Sequence, residues 1–202
     1  AWVALAAQLS KARTATARSI SKQVQEQLAF LGMGSCRFAV AISPLADKGP
    51  SPAGAEQIEF LVATNPGAEP GPLARIASGG ELSRISLAIQ VIIASRATTP
   101  TVIFDEVDVG IGGATADAVG SLLQTLGQRI QVVCVTHLPQ VAARGAQHLL
   151  ASKSSNGEST SAALTPLAAD ERVEELARML GGKTVTKKTQ EHAREMLESA
   201  TL

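Results

Sequence analysis

Ala77-Ser78-Gly79-Gly80-Glu81-Leu82-Ser83-Arg84 is the stretch from which the fold is read. Ser78 and Glu81 stand at the spacing of a capping box, in which an N-cap hydroxyl and an N3 carboxylate satisfy each other's orphan backbone donors. Leu82, Ile85, Leu87, Ile89, Val91, Ile92 and Ile93 follow and crowd more than one helical face, which predicts a deeply packed helix running to about Arg96. At its tip, Gly79 and Gly80 leave backbone N–H groups uncovered where the helix dipole adds positive potential, a seat suited to an anion, phosphate above all. Taken alone, the same residues fit a well-capped core helix whose glycines serve only the turn.

The residues downstream decide between the two. Thr101-Val102-Ile103-Phe104-Asp105-Glu106 is a short apolar run ending in two acids. It predicts a buried parallel strand that delivers carboxylates to its C-terminal edge, where open α/β sheets place ligands. Val107-Asp108-Val109-Gly110-Ile111-Gly112-Gly113 predicts a tight turn, and Val119, Leu122, Leu123 and Leu126 the inward face of a helix ending at Gly127. Gln131 to Thr136 predicts a second buried strand, ending on His137, and Leu138-Pro139-Gln140 starts a short helix. His137 could simply cap its strand, but it shares this edge with Asp105 and Glu106.

Upstream, residues 1 to about 31 predict one helix. Trp2, Leu5, Leu9, Ala12, Thr16, Ile20, Val24, Leu28 and Leu31 form a narrow stripe, of the width that suits an antiparallel coiled-coil partner. Lys11, Arg13, Arg18 and Lys22 precede its first acid, Glu26, and fit a solvated face better than a nucleic-acid contact. Strands are predicted at Arg37 to Ser43 and Gln57 to Thr64, with a loop from Asn65 to Pro72. Beyond Gln147, a hairpin (Gln147 to Ser152 with Thr160 to Thr165) precedes two amphipathic helices, Glu171 to Leu180 and Lys187 to Ser199.

The 202 residues carry 18 basic and 18 acidic side chains, so net charge does not point to a nucleic-acid partner. Two distant cysteines, Cys36 and Cys134, suggest reduced thiols in a cytoplasmic protein. No apolar run reaches membrane-spanning length, and the start, Ala1-Trp2-Val3, reads as a chain cut from something longer.

In order and spacing, these motifs resemble the ATP-binding cassette family. Ser78 to Glu81 is similar to the signature motif, Val102 to Glu106 to Walker B, Asp108 to the D-loop and His137 to the switch histidine. Glu81, where transporters usually carry Gln, and the long polar helix upstream resemble the heads of SMC-type chromosome and repair ATPases. Within these, Phe-Asp-Glu-Val-Asp-Val-Gly-Ile-Gly-Gly, Cys-Val-Thr-His-Leu-Pro-Gln-Val-Ala and Leu-Ala-Arg-Met-Leu-Gly-Gly point to the bacterial DNA repair branch, associated with the nucleoid. The resemblance implies an α/β fold: the C-terminal lobe of an ABC/SMC-type P-loop NTPase head. It would hold a mostly parallel sheet flanked by helices, a returning coiled-coil arm at 1–31, the half-head at 32–202 and a late β-hairpin.

The same resemblance implies ATP and Mg²⁺ as cofactors. Asp105 would hold Mg²⁺ through water, Glu106 would orient or deprotonate the attacking water, and His137 would donate to the γ-phosphate. Ser78, Gly79, Gly80, Glu81 and Asp108 would meet the ATP of an opposite head in a sandwiched homodimer, gating double-strand-break repair through DNA tethering. DNA enters by this resemblance only. A Walker A loop is expected from the N-terminal half of the same head, so this chain alone is expected to be inactive. Ala177 to Thr184 fits a relaxed P-loop pattern but lies in a helical segment after Walker B, where a P-loop must instead follow a strand and open a helix. A head of another SMC or ABC ATPase, a transporter nucleotide-binding subunit and a non-hydrolysing clamp are the alternatives. The intact Glu106 opposes the last, and the helix at 1–31 the transporter.

Overall fold

The computed structural model describes residues 1–45, 51–75, 78–94, 96, 99–105, 107–155, 159–181 and 184–200. The chain divides into two compact units, Ala1–Thr99 and Pro100–Leu202, where the motifs suggested an arm at 1–31 followed by a head.

In the first unit, α1 (Trp2–Phe30) runs as one helix. Its end is fixed by Gly32 at φ 76°, with the Met33 amide reaching the Leu28 carbonyl at 2.8 Å and the Gly32 amide that of Ala29 at 3.2 Å. That left-handed residue costs glycine nothing, and the paired bonds satisfy the last free carbonyls. Strands β1 (Arg37–Pro44), β2 (Glu56–Ala63) and β3 (Gly71–Pro72) form an antiparallel sheet in that order. β3 falls inside a segment expected to be loop, because two residues including a proline carry no strand pattern.

Helix α1 covers the open edge of β1. Gln25 Oε1 accepts the Phe38 amide at 3.0 Å, Ser21 Oγ accepts that of Val40 at 3.0 Å, and Gln25 Nε2 donates to the Cys36 carbonyl. Four helix residues advance ~6 Å and two strand residues about 6.8 Å, so side chains four apart on a helix match every second amide of a strand edge. The face so buried is Ala6, Ala17, Val24 and Leu28, with Ser21 and Gln25 half-buried between. The predicted stripe is correct at Val24, Leu28 and Leu31 but not at Leu5, Ala12 and Thr16, which are exposed. Helix α2 (Gly79–Ala94) packs against α1 and buries Ile85, Leu87, Ala88, Ile89, Val91 and Ile92, the many-sided burial its composition predicts.

The second unit opens with β4 (Thr101–Phe104), then α3 (Gly113–Gly127), β5 (Gln131–Cys134) and α4 (Pro139–Ala143). β4 and β5 pair in parallel, Thr101 opposite Gln131 and Phe104 opposite Cys134. β6 (Leu149–Ser155) and β7 (Thr160–Pro166) form the late antiparallel hairpin. Helices α5 (Ala169–Gly181) and α6 (Lys187–Ala200) close the chain, packing Leu176, Ala177 and Ala193 with Ala143 of α4.

Two expectations change here. Among the described residues the sheet is not mostly parallel: β4–β5 is the one parallel pair beside two antiparallel sheets. Nor are its strands buried on both faces. Phe104 is 1% exposed, but Ile103 is 68% and Val135 57% exposed. All-parallel sheets occur almost only with both faces covered, and two strands alone make a marginal sheet.

Candidate functional site

The tip of α2 stands as the capping residues dictate. The Leu82 amide reaches the Ser78 carbonyl at 3.0 Å, and the Glu81 amide lies 3.5 Å from Ser78 Oγ, a weak version of the capping bond. Ser78 and Gly79 are exposed, Gly80 and Glu81 half-buried. A Cβ at Gly79 would meet no atom within 4 Å, so a side chain at that exposed position would stand in open space among the described residues. Arg84 Nε donates back to the Gly80 carbonyl at 3.2 Å, and Cys36 lies near Glu81 and Arg84. Burial raises the Cys36 thiol pKa, as does the Glu81 charge, while Arg84 opposes.

The second cluster lies at the C-terminal end of the parallel pair. Asp105 follows β4 and is exposed. Asp108 is 2% exposed in the turn after it, and its Oδ2 accepts two hydrogen bonds, from Thr136 Oγ1 at 2.5 Å and from the His137 amide at 2.9 Å, with His137 Nδ1 3.1 Å away. Thr136 Oγ1 also accepts the Leu138 amide at 3.0 Å, tying the start of α4 into the same network. A carboxylate withdrawn from water is costly unless hydrogen-bonded, and here the residues that follow β5 supply those bonds.

His137 points outward, with its side chain 70% exposed. With Nδ1 beside Asp108, Nε2 is the ring nitrogen turned away from that carboxylate and free to meet a ligand. Cys134 is pushed up to about 11 by burial and by the charges of Asp108 and Asp105, which places the two carboxylates near one thiol.

The structure thus brings Asp105, Asp108 and His137 to one strand edge of the second unit. Ser78, Gly79, Gly80 and Glu81 sit together in the first. Glu106 lies outside the described residues. Asp108, expected at the ATP of an opposite head or at the dimer interface, is buried in this chain and accepts hydrogen bonds from Thr136 Oγ1 and the His137 amide. Sequence reasoning passed over Thr136, whose signal is a hydroxyl residue immediately before that histidine. Among the described residues no group of His, Cys, Asp and Glu gathers closely enough to hold a metal unaided. Asp105 is an exposed carboxylate at the strand end, a hard oxygen donor of the kind that Mg²⁺ takes together with water and phosphate oxygens.

Of the basic residues on α1, Arg13 is taken up internally: it meets Glu56 Oε2 at 3.2 Å and the Ala53 carbonyl at 2.8 Å. Lys22 lies 3.9 Å from Glu26. The P-loop-like stretch at 177–184 begins with Ala177 buried within α5 and reaches the end of that helix at Gly181, the reverse of a phosphate loop that opens one. Among the described residues no helix is long and apolar enough to cross a membrane.

No family model matches the chain. It is 48% identical over 197 residues to the DNA repair protein RecN of Xylella fastidiosa (strain 9a5c), covering 98% of this chain and 35% of the relative. It is 45% identical over 199 residues to RecN of Vibrio cholerae, covering 98% and 36%, and 43% identical over 195 residues to RecN of Treponema pallidum, covering 95% and 34%. The chain therefore spans about a third of the length of these relatives. Among solved structures it matches a chain described under ATP-driven dimerization and DNA-stimulated activation of SMC ATPases, with TM-score 0.61, 17% identity, 86% of this chain and 99% of that one. It also matches the Smc head domain with coiled coil and joint from Pyrococcus yayanosii, with TM-score 0.63, 20% identity, 81% of this chain and 29% of that one. The fold is that of an SMC head.

Proposed function

We infer that this chain, which corresponds to the C-terminal part of the RecN-type DNA repair proteins, is the signature-bearing half of an SMC-like ATPase head. The observation that carries the reading is the edge where buried Asp108 meets His137, at the end of a parallel pair whose outer face, Ile103 and Val133, is left open. An uncovered parallel pair calls for further strands and helices, and the N-terminal half of the same head, with its Walker A loop, is the segment that supplies them.

In that assembly Asp105 anchors Mg²⁺ through water, Glu106 orients or deprotonates the attacking water, and His137 Nε2 donates to the γ-phosphate as charge develops. When bound, ATP and Mg²⁺ supply the transferable phosphoryl group and its charge neutralisation. The amides of Gly79 and Gly80, with Ser78 and Glu81, face the γ-phosphate held by a second head, so that ATP joins the two and hydrolysis parts them. Two features support this: Ser78 and Gly79 at the helix tip are exposed, and a structural relative is described by ATP-driven dimerization. DNA held by the engaged assembly is the substrate of the repair function that the relatives' name implies. Such a protein works in the bacterial cytoplasm at the nucleoid.

The test is ATP turnover by three preparations. The chain by itself hydrolyses no ATP, the full-length protein does, and Glu106→Gln in the full-length protein abolishes turnover while retaining ATP binding. Turnover by the isolated chain, or undiminished turnover by the variant, contradicts the assignment.

A further inference from the structure

We propose that Arg172, on α5, is a positioning residue for His137, acting through the five-residue helix α4 from its far end. The inference rests on the ATPase reading above. Arg172 donates from one terminal guanidinium nitrogen to the carbonyls of Ala142 at 3.3 Å and Ala143 at 2.9 Å, and more closely to that of Gly145. These carbonyls lie at the C-terminus of α4, where the helix has no further turn to accept from and where a cation is favoured.

Helix α4 is too short to hold its own direction. A helix of this length is unstable unless fixed from outside, and here it is held against α3, where Arg144 Nη1 of its C-cap donates to Gln124 Oε1 at 3.3 Å, and at its two ends. At its N-terminal side the Leu138 amide bonds Thr136 Oγ1, which in turn bonds Asp108. On its flank it rides against Gly120 of α3, where an added Cβ would come within 3.0 Å of the Gln140 carbonyl. At its C-terminal side Arg172 gathers three carbonyls. His137 precedes α4 by a single residue, Leu138, so a tilt of α4 moves the imidazole relative to Asp108. Ala143 of α4 also packs with Leu176 and Ala177 of α5, so helix and clamp move as one piece.

The arrangement differs from a surface charge that merely solubilises a helix. Arg172 is half-buried, and its Nε, like Nδ1 of the neighbouring His148, is enclosed without a hydrogen-bond partner. Spending buried donor capacity on one helix end while leaving Nε unpaired costs stability, and the gain is a fixed α4.

The experiment uses the full-length protein and a mutant cycle of Arg172→Ala, Arg172→Lys and His137→Ala, with kcat and KM for ATP measured under multiple- and single-turnover conditions. His137→Ala is expected to lower kcat by about a hundredfold. Arg172→Ala is expected to lower kcat about tenfold with KM within about twofold, and to have no further effect once His137 is removed. Arg172→Lys, which keeps the charge but not the planar fork, falls between wild type and Arg172→Ala. Circular dichroism reports folding, and if Arg172→Ala fails to fold the Lys variant carries the cycle. Losses that multiply in the double variant, or an unchanged kcat for folded Arg172 variants, overturn the inference and leave the ATPase reading standing. Unchanged turnover in His137→Ala overturns the reading of the site itself.

Discussion

Asp108 Oδ2 lies 3.1 Å from His137 Nδ1 and 2.9 Å from the backbone nitrogen of the same residue, so one buried oxygen holds the peptide and stands against the ring that it carries. Twenty-nine positions separate the two residues, yet they behave as a single unit, the arrangement by which a carboxylate sets an imidazole's tautomer and direction.

Replacing that carboxylate has a predictable outcome. Asp108→Ala leaves the Thr136 hydroxyl and the His137 amide unpaired, at a cost of about 1–3 kcal/mol in unfolding free energy. Asp108→Asn keeps an acceptor oxygen and costs less, but no longer holds an imidazolium. In the full-length protein Asp108→Asn should lower kcat at least about tenfold with little change in KM for ATP. Steady-state kinetics and denaturant unfolding on the same preparations check both.

Cys134 reports on the same edge by an independent route. Burial, then Asp108 and Asp105, push its thiol up to about 11, so the reactive thiolate is scarce at neutral pH. Alkylation of native protein should be slow at pH 7.5 and rise steeply only as pH approaches that value. Asp105→Asn removes one of the opposing charges and should speed the reaction, whereas neutralising the distant Asp170 should not. Mass spectrometry of the Cys134 peptide gives the rates.

His148 makes stability depend on pH. Burial, and then the charge of Arg172, hold its pKa below the ordinary 6.5, with Glu175 opposing. The unfolded chain therefore binds this proton more readily than the folded one. The stability His148 contributes is complete above pH 6.5 and is lost as pH falls through the lower folded value. His148→Gln should flatten the stability difference between pH 7.5 and pH 5, measured by urea unfolding at each.

Two ion pairs on α1 should part company under mutation. Arg13 and Glu56 are largely enclosed, with side chains 23% and 12% exposed, whereas Lys22 and Glu26 are 80% and 61% exposed. Glu56→Ala strands a guanidinium and should cost about 1–3 kcal/mol. Glu26→Ala should cost less than about 0.5 kcal/mol and matter less still in high salt.

Much of this was legible from residue order. Gly32 marks the end of α1, the alternation in Arg37–Pro44 and Glu56–Ala63 marks paired strands, and the apolar crowding after Ser78 marks a packed helix. Less legible was which side of α1 is buried, because much of that side is small or polar. Ser21 and Gln25 bond to a strand edge, and a search for apolar periodicity passes over them. Leu5 at 64% and Val3 at 75% exposure show where the apolar residues went instead: to the outside, on the side a coiled-coil partner would use. The Asp108–His137 pairing and the Arg172 clamp were invisible for another reason. Each joins segments about thirty residues apart, and Arg172 sits in a helix whose charge pattern looks like an ordinary solvated face. Local spacing carries no record of such contacts.

The central claim is that the exposed amides at the tip of α2 receive a nucleotide held by a second head. The measurement is ATP-dependent association of the full-length protein, by sedimentation velocity, in a Glu106→Gln background that blocks hydrolysis, with and without Ser78→Arg. Ser78 is exposed, so the substitution costs the fold about 1 kcal/mol for the lost cap and leaves ATP binding by each head intact. ATP should drive the parent to a larger species and leave the Ser78→Arg protein unassociated at equal nucleotide occupancy. Equal association of both proteins would contradict the account.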